Sequence, residues 1–298
     1  GIIYIPEDFD VRVNRGNESI YIMYGTTDAF LYYLAMQESS SGAMMAIDEK
    51  YRPEMLVFLP QQDTPIITQS KAISVVGTAL YNHTEGYGSY LIPAVLMVII
   101  FQTLLMVIGM ISGDEKNTGA LSIYAGREKS FFPVSRIVLG KTFVYCSLYF
   151  IFSLFLLGLM PVLFSLPNIG HKYEITMLMI PYLLASSFFG LAASVFYTDS
   201  ESPLLMIAFF SVGLIFLSGV SYPLELMPWY WKVAHFIIPA APGTLAFVKI
   251  NSMGASMADI RQEYITLWLQ CIVYFIFAVM AYRYNIKKCM TQKTRKEI

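Results

Sequence analysis

Apolar residues crowd into five stretches of this chain, each near the roughly 20 residues that a helix needs to cross a bilayer. They run from about Leu91 to Ile111, Thr142 to Phe164, Ile175 to Tyr197, Pro203 to Val220 and Ile265 to Tyr282. None carries Asp, Glu, Lys or Arg across its body. Buried helices of a large soluble protein would read similarly one at a time, but five such runs in a single short chain point to lipid. The pattern predicts a mainly α, polytopic membrane protein with five visible transmembrane helices, its membrane domain covering 90–284.

Basic residues between the spans set the expected orientation. The first loop holds Lys116, Arg127, Lys129 and Arg136, with Lys141 at its edge. The chain end holds Arg283, Lys287, Lys288, Lys293, Arg295 and Lys296. The next loop has only Lys172, and the long segment before the last span has Lys232, Lys249 and Arg261. The first loop and the basic tail 285–298 are therefore expected in the cytoplasm, and the turn 198–202 is inside by parity. Residues 1–89 fall outside, with 11 acids against 5 bases. Strands are expected there at 1–5, 19–24, 54–59 and 72–80. A short helix is expected after Pro6, and another from Thr27 through Leu34 that Ser39–Gly42 breaks or loosens. That makes a small α+β extracytoplasmic domain. Residue 1 is Gly, and Ile2–Ile5 reads as mid-strand, so the expectation is a chain cut inside that domain, with a sixth span ahead of it.

Composition narrows the function. Of 298 residues, 56% are hydrophobic and 14% charged, well under the roughly 25% charged of soluble domains. Net charge is −1, so no overall field draws nucleic acid. Cys146, Cys271 and Cys289 lack metal or disulfide spacing, and His83, His171 and His235 lack zinc-ligand spacing. Gly140-Lys141-Thr142 looks like the end of a phosphate-binding loop, but Ser135 stands where the leading glycine is required. No catalytic, cofactor or metal site is expected. Ion-driven transporters carry ionisable side chains at mid-membrane; the visible spans have none, so any uphill movement draws its energy from a partner.

Three further patterns stand out. Ser186, Gly190 and Ser194 repeat every four residues, a small-residue face for helix packing. Pro223, Pro228, Pro239 and Pro242 interrupt an apolar stretch around Trp229-Tyr230-Trp231. This predicts short helices lying at, or dipping into, the outer face. In the first loop, Asp114 and Glu115 lead into Leu121 and Tyr124, spaced three apart. That is a short amphipathic helix able to pack on lipid or on a partner.

Several motifs together resemble the membrane subunits of ABC-2 type exporters, in the branch with a large outer domain between the first two spans. The resemblance covers nearly the whole chain. Ile3-Tyr4-Ile5-Pro6-Glu7-Asp8-Phe9 resembles the outer-domain "isoleucine–proline–acid–phenylalanine" stretch. Leu80-Tyr81-Asn82 and Tyr90-Leu91-Ile92-Pro93 resemble the approach to the second family span. Glu115 with Thr118-Gly119-Ala120-Leu121 resembles the coupling segment, and Leu139-Gly140-Lys141 the opening of the next span. Leu217-Ser218-Gly219-Val220-Ser221-Tyr222-Pro223 with Met227-Pro228 resembles the outer signature, followed by Met253-Gly254-Ala255-Ser256. The coupling segment departs in having Gly-Ala for Gly-Thr and no neighbouring arginines, and the turn 198–202 is acidic where relatives are often basic.

The resemblance implies a permease in a bacterial inner membrane, paired with a second permease subunit and seated on a separate cytoplasmic ABC ATPase. A periplasmic adaptor protein is often added. It implies that 114–125 is the coupling segment, with Asp114, Glu115, Thr118, Gly119, Leu121 and Tyr124 as its residues, and that Ser218, Gly219, Pro223 and Pro228 form the outer-face signature. It also implies that the first and fourth visible spans face the dimer axis. Two other classes fit the residues without it: an ion-coupled secondary transporter, and a membrane-anchored assembly protein that moves nothing.

Overall fold

The computed structural model describes residues 2–9, 11, 19–25, 37–46, 49, 73–79 and 87–296, the last range without 125, 127–129, 167, 198, 222 and 223. Contacts divide the chain into two units, Gly1–Tyr87 and Gly88–Ile298.

In the first unit, β-branched and aromatic runs form β1 (Ile2–Tyr4), β2 (Ser19–Gly25) and β3 (Ile73–Ala79). The sheet order is β1-β2-β3. β1 pairs antiparallel with β2, Ile3 opposite Met23, and β2 pairs parallel with β3, Ile22 opposite Val76. A parallel pair needs a long crossover, here residues 26–72. Residues 37–46 of that crossover, Ser39-Ser40-Ser41-Gly42 among them, are helical. Ser40 turns its hydroxyl back to the Gln37 carbonyl (3.1 Å), which lets a serine stay inside a helical turn. The expected strand 54–59 and the helix from Thr27 to Leu34 lie outside the described residues.

The second unit is helical. It comprises α1 (Tyr87–Asn117), α2 (Phe131–Ser153), α3 (Met160–Leu163), α4 (Lys172–Ala193), α5 (Ser202–Leu217), α6 (Trp229–Ile237), α7 (Ala240–Met253) and α8 (Arg261–Lys296). A π-helical stretch, Leu154–Leu159, joins α2 to α3. Pro161, just beyond, has no N–H to return to Leu157, and a slipped ladder is the usual accommodation.

Among the described residues, four segments are long and apolar enough to cross a membrane: Leu91–Asn117, Phe131–Leu163, Lys172–Phe196 and Arg261–Thr291. The expected fourth span at 203–220 is instead the 16-residue α5, which rises about 24 Å against a hydrocarbon core of about 30 Å. It is cut short at Gly219, whose φ of 83° is left-handed, a backbone state that ends helices. Among the described residues a fifth crossing is obtained if α6 and α7, bent by 86° at their junction, count as one.

The long helices also overrun their expected ends. α1 carries Asp114, Glu115 and Lys116 in its last turn. α2 begins at Phe131, so Arg136 and Lys141 sit on a helix rather than in a loop. α8 runs on to Lys296, so most of the basic tail is helical. Lys, Glu and Gln propagate helices well, and nothing breaks α1 until Gly119, at φ 68°.

Close backbone approaches hold the bundle together. Gly109 and Gly113 lie four apart on α1. A Cβ on Gly109 would meet the Pro203 ring at 2.6 Å, and one on Gly113 would meet the Asp199 carbonyl oxygen at 2.5 Å. Small residues at this spacing let another backbone come near. α7 runs against α4: its Gly243 faces Tyr182, and its Ile250 carbonyl faces Gly170 near the start of α4. Side chains such as Phe143, Leu148 and Ile151 on the outward face of α2 remain exposed, as expected of a surface whose solvent is lipid.

Candidate functional site

Several polar groups inside the described bundle join one helix to another. At the end where α1 finishes, Glu115 turns inward. One carboxylate oxygen forms an ion pair with Lys141 of α2. The other accepts the Tyr282 hydroxyl of α8 at 2.5 Å. The Lys141 ammonium also lies 5.1 Å from the Tyr282 ring centroid. Both carboxylate oxygens are thus engaged, as a shielded charge requires, and three helices are pinned at one point. Lys116 faces the other way and donates to the carbonyls of Ser194 (2.5 Å) and Tyr197 (2.7 Å), holding the 3-10 turn Ser194–Phe196 that follows α4. Asn285 of α8 donates to the Ser194 hydroxyl at 3.2 Å.

Beyond Lys116 the chain turns sharply. The Asp114 carbonyl accepts both the amide and the hydroxyl of Thr118, at 2.9 and 2.8 Å. Gly119 takes the left-handed turn, and Ala120–Tyr124 forms a 3-10 turn. This is tighter than the amphipathic helix expected from the spacing of Leu121 and Tyr124. Leu121 is buried in the core, and Tyr124 packs against that core. The apolar side chain offered outward is Ile123, 79% exposed. Glu115 and Leu121 therefore face the bundle. In a 3-10 turn side chains three residues apart eclipse, so Leu121 and Tyr124 share the face toward the core while Ile123 points away from it.

At the opposite end, the junction of α6 and α7 lies among prolines. Pro239 and Pro242 bring no N–H, and the 86° bend removes the partners that the Phe236 and Ile237 carbonyls would have in a continuous helix. α8 supplies replacements. Gln270 donates its amide to the Phe236 carbonyl at 2.8 Å, and the Tyr274 hydroxyl donates to the Ile237 carbonyl. His235, buried, donates its Nδ1–H to the Leu217 carbonyl at 2.8 Å, tying α6 to the end of α5. A broken helix is tolerated in a membrane only when such partners are present. Of the expected outer-face residues, Ser218 is buried and donates to the Ile215 carbonyl at 2.6 Å. Gly219 makes the positive-φ turn, and Pro228 precedes α6 and accepts the Trp231 and Lys232 amides. Pro223 lies outside the described residues.

The small-residue face of α4 is at close packing. Ser186 and Ser194 are fully buried, and a Cβ on Gly190 would meet Ile108 of α1 at 3.1 Å. Sequence reasoning missed Gln270 and Tyr274. The signal for them was an amide inside an otherwise apolar span, four residues from a tyrosine, following a segment whose prolines had to leave carbonyls open.

A cavity of about 650 Å³ opens between α1, α4, α5 and α8. It is lined by apolar and aromatic side chains, among them Phe101, Phe189, Phe210, Leu214 and Phe277, with no charged group. Among the described residues no cluster has the composition to hold a metal ion.

Apolar spans, polar groups used as inter-helix pins and a proline-broken helical pair define a polytopic membrane protein. The sequence profile of a family described as "ABC-2 family transporter protein" matches residues 1–280, and the chain belongs to that family. It is a membrane-spanning permease component of an ABC transporter, and membership implies an ATPase subunit as partner. No curated protein and no solved structure matches the chain.

Proposed function

We propose that the chain is the permease subunit of an ATP-driven exporter and that the segment 114–125 receives the stroke of a separate cytoplasmic ATPase. The observation that carries this reading is the Glu115–Lys141–Tyr282 pin beside the exposed Ile123 turn. Force applied at Ile123 has a short route into α1, α2 and α8 together, because all three meet at one carboxylate. In this reading Ile123 touches the ATPase, while Glu115, Leu121 and Tyr124 transmit from behind it, and Asp114, Thr118 and Gly119 shape the turn. The basic groups near this end favour the cytoplasm for it and for the tail 285–298. Residues 1–89 then form an α+β domain outside a bacterial inner membrane, available to an adaptor protein. A second permease subunit completes the translocation path, and the membrane domain spans 90–284.

The test is Ile123→Asp in the permease reconstituted with its ATPase. We expect reduced pull-down of the ATPase and loss of ATP-driven transport, with the fold intact because Ile123 contributes little to the core. Retention of both would overturn the coupling assignment. Transport sustained by an ion gradient without ATP would overturn the energy source.

A further inference from the structure

We propose that the cavity beside the α1–α2 turn is a binding site for an anionic phospholipid, its phosphate at Arg136 and Lys141 and an acyl chain against α2.

This cavity, about 470 Å³, is separate from the large apolar one and is lined by Ile111, Tyr124, Arg136, Ile137, Gly140, Lys141, Val144 and Tyr145. Its chemistry is two-sided. Ile111, Ile137 and Val144 make a wall that matches a hydrocarbon chain. Arg136 and Lys141 bring two cations to the same space. Arg136 is exposed and forms no ion pair with another described residue. Lys141 spends one of its three donors on Glu115 and keeps two. Glu115 itself does not line the cavity; its oxygens are taken by Lys141 and Tyr282, so the space carries net positive charge. Basic pockets between spans, at the level of the lipid headgroups, are where acidic headgroups bind. Gly140 contributes room: a Cβ there meets nothing within 4 Å, so a chain can lie along α2. A free oxyanion would use the cations and leave the apolar wall wetted. A neutral lipid would leave Arg136 without a counter-charge among the described residues. An anionic lipid satisfies both halves.

The experiment is retention of lipid by the intact protein, extracted from mixed phosphatidylglycerol and phosphatidylcholine vesicles and read by native mass spectrometry. The wild type is expected to keep phosphatidylglycerol in preference to phosphatidylcholine. Arg136→Gln is expected to retain about five-fold less, the factor set by about 1 kcal/mol for one basic group at an anionic surface. Arg136→Lys is expected to keep most of the binding. Gly140→Leu leaves the charge in place and fills the space, and is expected to lose retained lipid as well. Lys287→Gln removes an exposed charge of α8 outside the cavity and is expected to change nothing. Equal loss in Lys287→Gln and Arg136→Gln would reduce the effect to general surface attraction and overturn the site. So would full retention by a folded Gly140→Leu, or displacement of the lipid by inorganic phosphate alone. If Gly140→Leu fails to fold, the contrast among the Arg136 and Lys287 variants decides.

Discussion

Of the described glycines Gly243 has the least room for a side chain, and replacing it with alanine gives a sharp test of the helix packing. A Cβ at this position would lie 2.2 and 2.3 Å from two ring carbons of Tyr182. The ring cannot simply swing away. Tyr182 is completely buried, and its hydroxyl donates to the Met97 carbonyl of α1 at 2.8 Å. Alanine therefore forces either α7 away from α4 or the ring out of its hydrogen bond. Overpacking of this kind costs about 1–3 kcal/mol, and a lost buried hydrogen bond adds about 1 kcal/mol, so the expected destabilisation is about 2–4 kcal/mol. The better helix propensity of alanine returns less than about 1 kcal/mol. The assay is reversible unfolding in mixed micelles, with Gly243→Ala compared against Gly243→Ala/Tyr182→Leu. The smaller, flexible leucine gives back the space, so the double variant is expected to be less sensitive to the alanine than the wild type is. A Gly243→Ala protein within about 0.5 kcal/mol of wild type, or a double-variant cycle with no coupling, would refute close α4–α7 packing through this ring.

Three other outcomes follow from the same structure. Gln270→Leu and Tyr274→Phe each strip a donor from a carbonyl at the α6–α7 break; each is expected to cost about 1–2 kcal/mol and to speed amide exchange early in α7, and unchanged exchange in both would show that something else covers those carbonyls. Gly140→Ala is expected to stabilise by about 0.5–1 kcal/mol, since its Cβ meets open space. Gly113→Ala is expected to destabilise by about 1–3 kcal/mol through contact with the Asp199 backbone, so equal melting temperatures for these two variants would sink the distinction. In the turn before α8, Asp259 accepts the Ser256 hydroxyl at 2.7 Å and the Ser256 amide at 2.9 Å, which hold its carboxyl below the ordinary carboxylate value. A lowered folded-state pKa means that this contribution is present above the unfolded carboxylate value and fades as pH falls through the folded one. Asp259→Asn is expected to flatten that part of the acid stability profile, and an unchanged profile would remove Asp259 from it.

What the sequence determined by itself was the class of molecule. Long uncharged apolar runs have one favourable solvent, so the membrane setting and the places of the long helices were legible from Leu91 onward. The prolines at 223, 228, 239 and 242 announced a broken segment because a missing N–H is a local property of the chain. The ends of helices were less legible: α1 passes straight through Asp114–Lys116, because charged residues propagate a helix once it has started. Only the tertiary structure decided what the polar residues do. Glu115 and Leu121 read as an outward docking face, yet one is pinned by Lys141 and Tyr282 and the other is buried. Both outcomes depend on α2 and α8, which are remote in sequence. Gln270 and Tyr274 gain their meaning from two carbonyls more than thirty residues earlier. Hydrophobic periodicity records the average surroundings of a segment. The partner of a single buried polar atom is set by which helix arrives beside it, and no local pattern carries that information.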